Sequence, residues 1–163
     1  MKFIIVSRLE KIKNVDITIK AFNSLKDELY IVGKGRYEKE LKSLAKNNNI
    51  KFLGFVSEEK LIELFKFVDA CIMPHIYEPF GLVPYEIAKF GKPSIVSELS
   101  GIAYLFRKFD CGLIFNPFDI NDLIEKIKRI KDRKLYKKLS KNCFKMVKKI
   151  NAKGEIKKFI LNL

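Results

Sequence analysis

Histidine is almost missing from this 163-residue sequence: His75 is its single example, so neither a histidine-based metal cluster nor a complete Ser-His-Asp triad can be assembled from it. Cysteine is scarce as well. Cys71, Cys111 and Cys143 are odd in number, far apart and in no Cys-x-x-Cys pair, which argues against a disulfide framework or a zinc site and leaves three buried or incidental thiols. Glycine (8) and proline (5) are modest, and no Gln/Asn, Gly/Ser or Pro tract interrupts the chain, so disordered and fibrous classes do not fit. No apolar run approaches the ~18 residues of a membrane span, and the start, MKFIIVSRLE, is too short in apolar residues for a signal sequence, so the cytoplasm is the expected compartment. A P-loop pattern and a G-x-S-x-G elbow are both missing.

What is present suits one compact domain spanning 1–163. Hydrophobic residues make up 48% and charged residues 32%, and the length allows a real core but not two ordinary domains. The net charge of +14 is unevenly placed: residues 126–163 carry 15 Lys and Arg against two acids, whereas residues 1–125 carry 18 against 17. The excess belongs to a basic C-terminal segment, 126–163, that can serve as a solvated face, an anionic-membrane contact or a polyanion contact. In 132–150, Leu135, Leu139, Cys143, Met146, Val147 and Ile150 form one apolar stripe with lysines around the rest, as on any surface helix.

Six short apolar runs ended by Gly, Pro or Ser read as strands buried on both faces: KFIIVS (2–7), ELYIVG (28–33), IKFLGF (50–55), DACIMP (69–74), KPSIVS (92–97) and CGLIF (111–115). Helical spacing lies between them. Asn14 is expected to cap a helix to about Leu25, Ser57 to cap one carrying Leu61, Leu64, Phe65 and Val68, and Ile120, Leu123, Ile124 and Ile127 to mark a third. The βα alternation implies an α/β fold, a Rossmann-like doubly wound parallel sheet of about six strands with helices on both faces, and ligands bind such sheets beyond the carboxyl ends of the strands.

Among those carboxyl-end loops, SRLEKIKN has no glycine, and GKGRYE offers Gly33 and Gly35 but Glu38 in place of a third glycine, which disfavours a dinucleotide dehydrogenase. The loop after Pro74 is more informative. Its stretch YEPFGLVPYE separates Glu78 and Glu86 by seven residues, among them Phe80, Gly81, Leu82, Val83 and Pro84. If a helix starts near Gly81, its free N–H groups form an anion site to which glycine admits a phosphate, and Pro84 suits a first turn. Glu78 before the helix and Glu86 one turn inside can then face a ligand with phosphates between them, balanced by Arg8 and Lys13. A diphosphate flanked by hydroxyl-bearing sugars describes a nucleotide-diphospho-sugar.

Across residues 3–131, the ordered segments VSRLEKIKNVDITIKAF, LYIVGKGRYEKELKSLA, IKFLGFVSEEKLIELFKFVDACIMP, YEPFGLVPYEIAKFGKPSIVS and CGLIFNPFDINDLIEKI resemble the C-terminal donor-binding domain of the group 1 glycosyl transferases, glycosyltransferase family 4, of the GT-B fold. The resemblance implies one half of a retaining hexosyltransferase that takes a nucleotide-diphospho-sugar and needs no metal or other cofactor. It implies that Glu78 is catalytic, meeting the donor sugar near its reacting carbon, and that Glu86 holds the ribose hydroxyls. Gly81 and Leu82 backbone N–H groups, with Arg8 and Lys13, would hold the diphosphate; Val56 would sit near the base, and Gly33, Phe80 and Val83 would complete the substrate-binding set.

Two features depart from the family: Ser7 stands where glycine is usual, and the acceptor-binding N-terminal domain is absent, so the isolated domain is expected to be inactive and to need an acceptor domain in a parent chain or partner subunit. Structural roles compete for several positions: Arg8 and Lys13 as surface ion-pair partners, Gly33 as the end of a strand, and His75 as a packed side chain outside catalysis. A non-catalytic nucleotide or nucleotide-sugar binding module is the main alternative. A polyanion-binding protein acting through the basic tail is the other; it lacks the interleaved aromatics of base stacking, which argues against nucleic acid as a partner. A peripheral contact at the cytoplasmic membrane face through 126–163 stays open beside the solvated face.

Overall fold

A computed structural model of the chain describes residues 1–153. The six expected strands form: β1 (Lys2–Val6), β2 (Glu28–Val32), β3 (Ile50–Gly54), β4 (Ala70–Met73), β5 (Ser94–Ser97) and β6 (Gly112–Phe115). They make one parallel sheet in the order β3-β2-β1-β4-β5-β6. This is the doubly wound Rossmann order, and its direction reverses between β1 and β4, where Phe3 pairs with Ala70 and Ile4 with Cys71.

Burial follows position in the sheet. Every residue of β4 and β5 is buried, as is most of β1 and β2, whereas the edge strand β3 alternates, with Ile50 buried and Lys51 and Leu53 exposed. The expectation that all six strands are covered on both faces is therefore corrected at β3, which has a neighbour on one side only and leaves part of a face open to solvent.

Helices cover the two faces: α1 (Val15–Phe22), α2 (Glu38–Leu44) and α6 (Ile120–Arg129) on one, α3 (Glu58–Phe67), α4 (Val83–Ala88) and α5 (Ala103–Phe109) on the other. The period-two alternation of β1 divides the core: Phe3 and Ile5 pack with Phe22, Ile19 and Leu123, while Ile4 packs with Leu64, Phe65 and Ile87. The last helix, α7 (Arg133–Lys153), turns the expected stripe inward: Cys143, Met146 and Ile150 are buried in the cluster formed with α4 and α5, Leu139 in the one formed with α1 and α6, and Leu135 and Val147 are partly covered. The remainder of the basic segment, 154–163, lies outside the described residues. All three cysteines are free and buried.

Helix ends carry one confirmation and one correction. The Ser57 hydroxyl accepts from the Lys60 N–H and caps α3 as expected. Asn14 does not cap α1: its backbone is left-handed (φ 52°), the helix stops at Phe22 rather than near Leu25, and its side-chain amide donates to the carbonyls of Pro74 (3.2 Å) and Pro117 (2.8 Å). Local propensity gave way to a tertiary demand, because two buried carbonyls in loops distant in sequence each needed a donor.

Candidate functional site

The sheet order brings the loops after β1 and β4 together, and they are bonded to one another: Ile76 N–H donates to the Ile12 carbonyl, and Asn14 joins both loops to the one after β6. A fourth loop clamps the segment around Glu78. Gly101 and Ile102 donate their N–H groups to the carbonyls of Glu78 and Phe80, each at 2.9 Å. A side chain at Gly101 would meet the Pro79 carbonyl oxygen at 1.9 Å, so the close approach requires glycine there.

Between these loops open two clefts that share Val6, Ser7 and Arg8. The first, about 650 Å³, is walled by Lys13, His75, Glu78 and the run Phe80–Val83; the second, about 550 Å³, by Gly33, Lys34, Phe55, Val56 and Leu61. Nine of the ten expected site residues therefore line one cleft or the other. Glu86 is the exception: half-buried in the first turn of α4, it is in the lining of neither.

Lys13 and Glu78, which the sequence places 65 positions apart, are in direct contact, Nζ to Oε2 at 2.9 Å, with both side chains largely covered. Burial raises the Glu78 pKa, but the hydrogen bond and charge of Lys13, with a smaller part from His75, outweigh it and hold the carboxyl below its ordinary value. His75 lies beneath the pair, Nδ1 at 3.2 Å from the same Oε2. Burial and then the nearby Lys13 charge push its pKa down to about 4, so the ring is neutral near pH 7 despite the carboxylate beside it. Arg8 is 74% exposed and pairs with Glu10 at 3.2 Å, so its charge stands at the rim shared by both clefts and is largely solvated.

The helix of this loop begins at Val83, two residues later than expected, and lasts one and a half turns with Pro84 in its first turn. Gly81 precedes it with φ 81°, a conformation a side chain resists, and among the described residues the N–H groups of Gly81 and Leu82 have no partner in the protein. Gly33 has a firm structural duty: φ is 130°, and a Cβ would sit 1.9 Å from the Ser7 carbonyl oxygen, so its lack of a side chain lets the loops after β1 and β2 touch. Ser7, which replaces the expected glycine, turns its hydroxyl into a buried place with no partner.

Residue-by-residue reading missed His75, Lys34, Phe55 and Tyr77 as parts of the clefts. Phe55 carried a signal, a large apolar residue just past the glycine that ends β3, and it is 80% exposed at the second cleft. His75 carried only its rarity and its place three residues before Glu78. No helix among the described residues is long and apolar enough to cross a membrane.

Comparison with known proteins places this geometry. The family model "Glycosyl transferases group 1" matches residues 1–146. Mannosylfructose-phosphate synthase of Agrobacterium fabrum is 30% identical over 157 residues, covering 83% of this chain and 34% of that protein. Glycogen synthase of Mycobacterium tuberculosis is 29% identical over 136 residues, covering 78% and 33%. The chain thus spans about a third of these relatives. Among solved structures, the catalytic domain of cholesterol-alpha-glucosyltransferase from Helicobacter pylori superposes with a TM-score of 0.78 at 25% identity, over 90% of this chain and 96% of that one. Anabaena HepE in complex with UDP-glucose superposes at 0.84 and 22% identity, over 99% of this chain and 49% of that one.

Proposed function

The chain belongs to the group 1 glycosyl transferases, and from that premise we propose that it is the donor-binding domain of a retaining hexosyltransferase of the GT-B, family 4 type. It holds a nucleotide-diphospho-sugar for transfer of the sugar to an acceptor hydroxyl on a glycan, lipid-linked glycan or polysaccharide. The observation that carries the reading is the Lys13–Glu78 pair lining one cleft with Gly81 and Leu82, whose N–H groups have no partner among the described residues, where the loops after β1 and β4 meet. HepE, of the same fold, is solved with UDP-glucose.

In this reading the diphosphate bridges the shared rim of the two clefts. An ammonium has three donors, so Lys13 serves Glu78 and still reaches a phosphate oxygen, while Arg8 swings in from solvent and the N–H groups of Gly81 and Leu82 complete the anion site. These fixed donors stabilise the charge that grows on the diphosphate as the glycosidic bond breaks, so the step needs no metal. The base lies in the second cleft along Val56 and Gly33, beside Phe55, and the sugar lies toward Glu78, the catalytic carboxylate, kept ionised by Lys13. Glu86 holds the ribose from the first turn of α4. An acceptor domain in the parent chain or a partner subunit closes over the donor, and transfer retains the anomeric configuration.

Calorimetry of this chain against UDP, GDP and ADP and their sugar forms tests the reading. Metal-independent binding of one base series, without sugar transfer by the chain alone, is expected, because positioning an attacking hydroxyl accounts for ~7–11 kcal/mol of a barrier. Glu86→Ala weakens the nucleoside diphosphate and spares free diphosphate. Silence across the panel from a folded protein refutes the donor site.

A second reading rests on α7. Lys134, Lys137, Lys141, Lys145 and Lys148 are exposed and without ion-pair partners among the described residues, on the face opposite the buried stripe, and Phe144, 52% exposed, lies among them. We propose that this face holds the protein peripherally against anionic headgroups at the cytoplasmic side of a membrane.

A further inference from the structure

The wall of the first cleft contains a polar atom without a partner, Nε2 of His75, in a residue only 4% exposed. Its other nitrogen is engaged. Nδ1 faces Oε2 of Glu78 at 3.2 Å, and because a carboxylate only accepts, that contact places the ring proton on Nδ1. The Lys13 ammonium lands on the same oxygen. With two donors on Oε2, the second oxygen, Oε1, has no hydrogen-bond partner among the described residues, in a side chain that is 21% exposed and lines the cleft.

An unpaired Nε2 costs the fold a hydrogen bond, and an apolar side chain would fill the same space without that cost. Stability therefore gives no reason for a histidine here. Its relation to Glu78 does. A single ammonium is a point-like donor on a flexible stem, about which a carboxylate can turn, whereas a second donor from a buried ring fixes the plane of the group.

We infer that His75 is a positioning residue for Glu78: its Nδ1–H and the Lys13 ammonium together hold Oε2, leaving Oε1 to accept a hydroxyl of the sugar on a nucleoside-diphospho-sugar. The inference rests on the donor-site reading above and adds to it the device that aims the carboxylate. Neutrality of the ring belongs to the design, since an imidazolium beside Lys13 would place a second positive charge against one carboxylate.

The test compares this chain with His75→Leu, which removes the donor, and His75→Asn, whose amide N–H stands near the place of Nδ1–H. Calorimetry uses UDP beside UDP-glucose, GDP beside GDP-mannose and ADP beside ADP-glucose. For the pair that binds, the nucleoside diphosphate alone is expected to bind all three proteins equally. The sugar form loses roughly tenfold in affinity in His75→Leu, the scale of one hydrogen bond to a charged group, and recovers in His75→Asn. An unchanged affinity of the sugar form in His75→Leu overturns the inference, as does an equal loss with and without the sugar. If no pair binds the wild-type chain, the donor-site reading fails, and the positioning contact is judged on the free protein by NMR. A ring protonated at Nδ1, read on the wild type, and a Glu78 titration that moves upward in His75→Leu and returns in His75→Asn support it. A ring protonated at Nε2, or an unmoved Glu78, overturns it.

Discussion

A single imidazole sets a pH dependence that the rest of the chain does not predict. Folded His75 takes its proton only near pH 4, because burial and Lys13 oppose the charge, whereas an unfolded chain protonates it near its ordinary value of 6.5. Between those values the unfolded state binds more protons, so the stability is full above pH 6.5 and falls as the pH drops toward 4. Glu78 acts in the same sense over a lower range: its folded pKa is depressed, and its contribution is lost as the pH falls through that folded value. Urea melts of wild type between pH 7 and 4.5 should show a loss about 2–3 kcal/mol larger than melts of His75→Leu, the equivalent of the shift in the ring alone. Parallel pH profiles in the two proteins would mean that His75 takes its proton equally readily in the folded and unfolded states, as a water-accessible ring does.

At the scale of elements, the site is a junction of loops more than a property of any helix or strand. Asn14 is the residue that ties the junction, with a left-handed backbone and an amide shared between the Pro74 and Pro117 carbonyls. Asn14→Ala leaves two buried carbonyls without donors and places a Cβ-bearing residue with low left-handed tolerance at φ 52°. A loss of about 2–4 kcal/mol in denaturant unfolding is expected, larger than the ~1 kcal/mol of removing the Ser57 cap, because a cap is local and water can replace it. Ser57→Ala and Asn14→Ala melts side by side decide between a helix cap and a loop tie, and similar losses would return Asn14 to an ordinary capping role.

For the molecule as a whole, charge is divided between a nearly neutral body and a basic C-terminal segment, and the fold gives that division a direction by burying one face of α7 and presenting its lysines on the other. Attraction of such a face to anionic headgroups is electrostatic, about 1 kcal/mol per Lys near the surface, and fades as salt shortens the Debye length from ~10 Å at 0.1 M to ~3 Å at 1 M. Co-sedimentation should show binding to anionic but not neutral vesicles, lost at 1 M salt (about a 3 Å screening length) and after Lys137, Lys141, Lys145 and Lys148 are changed to Gln. No preference for anionic vesicles at low salt would return the face to solvent, and the proposed donor site would be unaffected.

The sequence by itself determined the six strands, the alternation with helices, the buried stripe of α7 and the loop that carries Glu78 and Gly81, because each is written in short-range patterns: apolar runs, i, i+3, i+4 spacing, glycine and proline. Phe3, Ile4 and Ile5 had to divide between two faces as soon as they formed a strand. Which loops meet was decided only by tertiary structure. Strand order depends on how crossovers pack, and no local pattern encodes that Lys13 and Glu78 share a contact, that Ser7 needs Gly33 opposite it, or that Asn14 serves carbonyls 60 and 103 residues away. The same cause hid His75. Its two ring nitrogens have opposite fates, one held by Glu78 and one left bare, and those fates arise from burial and neighbouring charge that exist only once the loops after β1 and β4 have closed around it.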